Sequence, residues 1–329
     1  MPVTKYGVLA GRAIAARREN SNDTPHYQVQ HGAAGTNYRI AVNVKSNAQP
    51  SELLYLIKED FKHPVLARLA DLGEGFTPLP GQPGGMALDF IRGNLFDRSE
   101  MRLLPHNLPG PDNDLSDRIE HYVKRALNER DAMVFAFGAR WGPEQGQRDK
   151  IFGFQPGNGI HDIHMNQGND PGHVKDDGVW QDGALLLHFR TSDQWVALFL
   201  AFQSQAWHTD DVTGHAIEVV TEPDKTVRIV AAMVNPVGGE PEAESVILLN
   251  PTPQAIDLAG WRIADQQKRK CPLSGRLPAG GALSVRLAAP AKLGNSGGII
   301  TLLDASGLKV DGVSYTKEQA RRQGWLVVF

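Results

Sequence analysis

The chain has one cysteine, Cys271, in 329 residues. A single thiol excludes an intrachain disulfide framework and any cysteine-rich zinc module. Charge of one sign is also missing: Lys+Arg total 34, Asp+Glu total 37, and the formal net charge is −3. That excludes a strongly basic, histone-like nucleic-acid binder, while leaving room for an enzyme with a local basic patch. Long hydrophobic runs are absent. The longest, Trp195 to Phe202, is flanked by Gln194 and Gln203 and falls far short of the ~20 residues a bilayer needs. Lys5, Arg12, Arg17 and Arg18 lie near the start with no long apolar region between them, unlike a Sec-type signal peptide. The resulting expectation is a cytoplasmic protein without a transmembrane segment, with signal-less export left open. The sequence also lacks a G-x-S-x-G elbow, a Walker A loop, an H-E-x-x-H helix and a G-x-G-x-x-G turn.

What is present reads mainly as strands. Tyr6–Ile14, His26–Gln30 and Tyr38–Val44 are short, β-branched or aromatic, and partly alternating, which predicts half-buried strands. His31–Gly35 reads as the turn between two of them. Ser51–Ile57 fits strand or helix. Phe76–Gly93 is rich in Pro and Gly and reads as a long loop. The clearest helix carries Leu115, Ile119, Tyr122, Val123, Ala126 and Leu127 as one stripe, with Asp114 as its expected N-cap. Further strands are expected at Ala132–Gly138 and Lys150–Phe154. The nearly unbroken apolar runs Ala184–Phe189 and Trp195–Phe202 suit strands covered on both faces, joined by a turn at Thr191-Ser192-Asp193. Thr221–Lys225 reads as a linker. Beyond it, short strands recur at roughly ten-residue spacing with turn signals, the sandwich pattern. The expected architecture is an α+β domain with a substantial β-sheet over residues 1–222, then an all-β immunoglobulin-like sandwich over 223–329.

Two resemblances follow. Val246–Asn250, Asp257-Leu258-Ala259-Gly260-Trp261, Leu283–Leu287 and Gly298–Asp304 resemble the lamin-tail domain, an immunoglobulin-like sandwich in which Trp261 would be a core residue. In bacteria such domains are often attached to hydrolases, nucleases among them. Tyr6–Leu9, Gly159–Asn169, Trp180–Gly183 and Ala206–Asp210 resemble the YukJ-type bacterial family over roughly residues 1–220. That resemblance implies no activity.

Chemistry-bearing side chains concentrate at His161, Asp162, His164, Asn166 and Gln167. If the segment is extended, Asp162, His164 and Asn166 share one face and His161 the other. Carboxylate and imidazole together suit a divalent metal. The bland reading is a loop oriented by side-chain to backbone hydrogen bonds. A second group is His208 with Asp210, a possible base and orienter or additional ligands. Trp180 and Asp182 lie between the two groups, although Asp182 before Gly183 is also an ordinary turn residue. Arg92 could bind a phosphate, and His106 is a secondary candidate. Cys271 reads as a lone structural or surface thiol.

These residues predict a metal-dependent hydrolase, a phosphodiesterase or nuclease. A divalent metal would be held by His161, Asp162 and His164. His208 and Asp210 would do the proton chemistry, and Asn166, Gln167, Trp180, Asp182 and Arg92 would bind substrate. The partner would be nucleic acid or another phosphodiester. The alternative is a non-catalytic binding protein gripping a glycan, peptide or protein, with Trp180 and Trp207 as stacking platforms. A third reading is an acyl or amide hydrolase using His and Asp without metal.

Overall fold

The computed structural model describes residues 6–19, 26–44, 53–79, 100–104, 113–162, 183–202, 226–238, 244–305, 307 and 309–329. The chain is mostly β and divides into two compact units. Among the described residues, no helix is long and apolar enough to cross a membrane.

The first unit is a large sheet with few helices. Its strands are β1 (Tyr6–Arg18), β2 (His26–Ala33), β3 (Thr36–Asn43), β4 (Leu53–Lys58), β5 (Gly75–Pro78), β6 (Arg102–Leu104), β7 (Met133–Glu144), β8 (Gly157–His161), β9 (Gly183–Phe189) and β10 (Gln194–Phe202). They form one ten-stranded sheet in the order β5-β1-β2-β3-β8-β7-β9-β10-β4-β6, with an additional β1–β7 pairing. That extra pairing closes a ring. The first half of β1 pairs with β7, from Tyr6↔Ala139 to Gly11↔Val134. Its second half pairs with β2, from Arg12↔Gly32 to Arg18↔Tyr27, with an irregularity between Ala13 and Ala15. β3 and β8 are parallel; the other ring pairings are antiparallel.

One face of this sheet is apolar because alternate residues point the same way. Val29, Ile40, Val42, Ile160, Val134 and Leu187 are fully buried there. Helix α1 (Val65–Ala70) is short; α2 (Asp114–Asn128) supplies Leu115, Ile119, Tyr122, Val123 and Ala126 to the same core. Each large apolar side chain contributes roughly 1.5–3 kcal/mol by burial. The surface ion pairs of Arg18 with Asp117 and Glu120, both at 2.6 Å, contribute about 0–1 kcal/mol each. Packing therefore holds the helix, and the ion pairs orient it.

Several expectations need correction. The N-cap is Asn113, whose side chain accepts the Ser116 N–H and donates to the Val44 carbonyl at 2.8 Å. Asp114 is the first helical residue, and its carboxylate instead accepts from Tyr55 Oη and Arg118 Nε. Lys150–Phe154 is not a strand: Asp149 Oδ1 accepts the N–H groups of Ile151 and Phe152, which bends the chain into a turn. Gly75–Pro78, placed at the start of a loop from sequence, pairs with β1. The ambiguous run near Leu53 is a strand, and β2 continues to Ala33 before turning. The hairpin turn at Arg190–Asp193 and the two-sided burial of β9 are as expected.

Two glycines let β7 and β8 meet. A Cβ on Gly138 would stand 1.8 Å from the His161 carbonyl oxygen, and one on Gly159 would stand 2.2 Å from the Trp141 ring. Gly138→Ala forces backbone to move, so it should cost about 1–3 kcal/mol in urea unfolding. A midpoint unchanged from wild type would show that the two strands are less tightly opposed.

In the second unit, β11 (Arg228–Met233), β12 (Ser245–Leu249), β13 (Ile256–Asp257), β14 (Arg262–Ala264), β15 (Lys270–Pro272), β16 (Arg276–Leu277), β17 (Ala282–Arg286), β18 (Gly297–Leu303), β19 (Lys309–Thr316) and β20 (Val327–Val328) follow in order, with α3 (Lys317–Ala320) before the last. They form two four-stranded sheets, β17-β12-β11-β20 and β15-β14-β18-β19, plus the β13–β16 pair. Val246, Leu248 and Ile229 from one sheet share a core with Ile263, Ile300 and Leu302 from the other, which makes a sandwich. Cys271 is buried in that core. Trp261 packs against it only partly buried, and Gly260 takes φ +80° beside it.

Candidate functional site

The sheet face opposite α2's core is polar at β2, β3 and β8. His26, Gln28 and Gln30 alternate with buried Tyr27 and Val29. Register places Gln28 beside Ala41, Ala41 beside His161, and His161 beside Ala139. Trp141, two residues beyond Ala139, lies over Gly159, where a side chain would collide with its ring.

Three rings form a row across these strands. His161 is 4.6 Å from Trp141 and 5.6 Å from His26, centroid to centroid. Behind His26 stands Glu19, with Oε2 3.4 Å from His26 Nδ1. The same oxygen accepts from Gln28 Nε2 at 2.6 Å. The hydrogen bond with His26 outweighs partial burial and holds the Glu19 carboxyl down at about 2. It is therefore an anion throughout the physiological range. Gln28 Oε1 accepts from Arg39 Nη1, Arg39 Nε donates to Asp149 Oδ2 at 2.6 Å, and the guanidinium lies 4.7 Å from the Trp141 ring centroid. One connected network thus runs from Glu19 through Gln28 and Arg39 to Asp149.

Of the residues singled out in the sequence, His161 and Asp162 are described and have different surroundings. His161 is half-buried in the aromatic row. Asp162 is buried, its Oδ1 accepts the Asn43 N–H at 3.0 Å, and its own N–H donates to the Ala41 carbonyl. It anchors the end of β8 to β3. His164, Asn166, Gln167, Trp180, Asp182, His208, Asp210, Arg92 and His106 lie outside the described residues, as do Trp207 and the linker near Pro223. Among the described residues, no group of three or more His, Cys, Asp or Glu is arranged to hold a metal ion. Sequence reasoning missed Glu19, His26, Arg39 and Trp141. The available signal was the polar alternation of His26, Gln28 and Gln30 on an otherwise apolar strand.

Elsewhere, a shallow hollow is lined by Arg125, Glu129, Arg130, Asp131, Thr191 and Ser192. Arg125 is already engaged there by Glu129, Gln194 and Ser192, with its plane over Phe189. It is a structural clamp.

Comparison with known proteins separates the two units by kind. Residues 221–317 match the Lamin Tail Domain, so the second unit is of the immunoglobulin-like class. Residues 1–214 match the family described as "Uncharacterized conserved protein (DUF2278)", and the chain belongs to that family. It is 49% identical over 214 residues to "Uncharacterized protein YukJ" of Bacillus subtilis (strain 168), covering 64% of this chain and 93% of that protein. No solved structure matches.

Proposed function

We propose that the chain is a metal-dependent hydrolase of phosphodiesters, a phosphodiesterase or nuclease. The observation that carries this is the pair of imidazoles, His26 and His161, 5.6 Å apart with Glu19 behind one of them. Two imidazoles on one tetrahedral zinc hold their centroids roughly 5 Å apart. A carboxylate on Nδ1 fixes the tautomer that leaves Nε2 as the ligating atom, the usual support for a metal-bound histidine. His164 and His208 are the sequence's further ligand and base, with Asp210 orienting the base. In this reading Asp162 positions His161 from behind rather than ligating. Bound metal would supply a water acidic enough to attack at neutral pH. The lamin-tail resemblance adds the association with nucleases.

The same reading takes the first unit as an α+β domain ending near residue 222, since the family matches stop at 214 and resume at 221. A non-catalytic binding protein is the second reading, favoured by the lack of a three-ligand cluster among the described residues.

Metal analysis of the untagged protein by mass spectrometry tests the proposal, together with assays on DNA, RNA and a chromogenic diester with Mg²⁺, Mn²⁺ or Zn²⁺. His161→Ala should lower metal occupancy and turnover together, in a protein that still unfolds cooperatively. Glu19→Gln should weaken metal affinity by about 10–100-fold. A metal-free wild type, inactive on each substrate with each metal, overturns the hydrolase and leaves the binding protein.

A further inference from the structure

The ring β1-β2-β3-β8-β7 has a specific connectivity. Its single parallel pair is β3–β8, and α2 enters the chain between β3 and β7. This is the plan of the five-stranded Greek-key OB barrel, which binds oligonucleotides and oligosaccharides across its second and third strands and beside the loop joining its last two. Here the corresponding face is the polar one, and the corresponding loop is residues 145–156.

That loop folds onto the face, since Asp149 reaches Arg39 at 2.6 Å. It carries exposed Arg148 and Lys150, followed by half-buried Phe152 and Phe154. Arg17, exposed on β1, pairs in register with Gln28 across the opposite side. The row of Trp141, His161 and His26 lies on the same face, and Lys150 is near enough to act electrostatically on Glu19 behind His26. Of the nearby carboxylates, Asp149 is neutralised by Arg39, Glu19 is engaged by His26 and Gln28, and Glu144 is exposed. Flat rings sharing a face with exposed cations suit unpaired bases and their phosphates. A neutral sugar would gain nothing from three exposed cations, and a duplex hides the base faces that rings stack upon.

We propose that this barrel face binds single-stranded nucleic acid, with Trp141 stacking on bases and Arg17, Arg148 and Lys150 pairing with phosphates. The inference deepens the phosphodiester reading by naming its substrate class, yet it can be tested without turnover.

The experiment is fluorescence anisotropy of the full chain, in EDTA, with labelled DNA and RNA strands of about 12 nucleotides, the matching duplex, and a neutral oligosaccharide as competitor. Either single strand should bind with a dissociation constant below about 100 μM at low salt, and the duplex at least tenfold more weakly. The tighter-binding strand names the preferred polymer, and the sugar should not compete. The Arg148→Ala/Lys150→Ala double variant should lose about tenfold and flatten the salt dependence by about 1.4 in slope, two phosphate contacts' worth. Both side chains are exposed, so its urea midpoint should match wild type. Stacking should quench tryptophan fluorescence, and Trp141→Phe should remove most of that quench while retaining binding. No binding by wild type, duplex preference, displacement by the sugar, or an unchanged salt slope in the double variant overturns the inference. Binding without hydrolysis under any metal keeps it and removes the hydrolase. Hydrolysis of a small diester without strand binding does the reverse.

Discussion

Asp149→Ala should destabilise the first unit by about 3–5 kcal/mol, the usual cost of stripping one partner from a buried ion pair. The Arg39 and Asp149 side chains are only 7% and 1% exposed, with Nε and Oδ2 2.6 Å apart. Removing the carboxylate strands a guanidinium away from water. It also takes the acceptor from the Ile151 and Phe152 N–H groups, so the 145–156 loop loses its turn along with its charge partner. Urea unfolding would show a fallen midpoint with an unchanged slope. Asp149→Asn should fall between, keeping acceptor capacity without charge. An Arg39→Met/Asp149→Leu pair should recover much of the loss, because two apolar residues leave no charge behind. A loss below about 1 kcal/mol for Asp149→Ala would mean that water reaches the pair.

The chain should also lose stability in mild acid through one residue, His31. It is fully buried, with Nε2 3.2 Å from the Val134 carbonyl. Burial pushes its pKa down to about 4, against the weaker opposing pull of that carbonyl. Unfolded histidine titrates near 6.5. Between those values the unfolded chain takes up a proton that the folded chain refuses. Stability is therefore full above about pH 6.5 and falls as pH drops towards 4, by about 2–3 kcal/mol between pH 7.5 and 4.5. His31→Gln keeps a hydrogen-bond donor without a titrating ring and should remove that part of the pH slope. A variant whose stability tracks wild type across this range would assign the acid loss elsewhere. Glu19 acts lower down: its depressed pKa adds stability above about pH 4.5 that is lost as pH falls towards 2.

Local patterning made most elements legible. Alternation disclosed β2 and β3, unbroken apolar runs disclosed β9 and β10, and the stripe from Leu115 to Leu127 disclosed α2. Side-chain competition for backbone groups was harder to read. Asn113 and Asp114 are both good caps on paper, but only Asn113 reaches back to Ser116 while Asp114 is drawn to Tyr55. Lys150–Phe154 has strand-like residues, yet Asp149 bends it. The candidate site was half visible. His161 stood out in a dense polar motif. His26 and Trp141 are far from it in sequence and meet it only because β8 slots between β3 and β7, a register no local pattern contains.

The split pairing of β1 also sets a schedule for synthesis. Its first half must wait for β7, because Tyr6 pairs with Ala139. At about 5–20 residues per second, a ribosome takes on the order of ten seconds to supply that partner. Meanwhile β1 and β2, adjacent in sequence, can form a hairpin and β5 can take one edge of the first half of β1, but the edge that β7 will occupy displays unpaired amides beside apolar Val8 and Leu9. Contacts so distant along the chain are slow to form. The nascent first unit thus carries an open strand edge, an aggregation hazard, until β7 closes the ring.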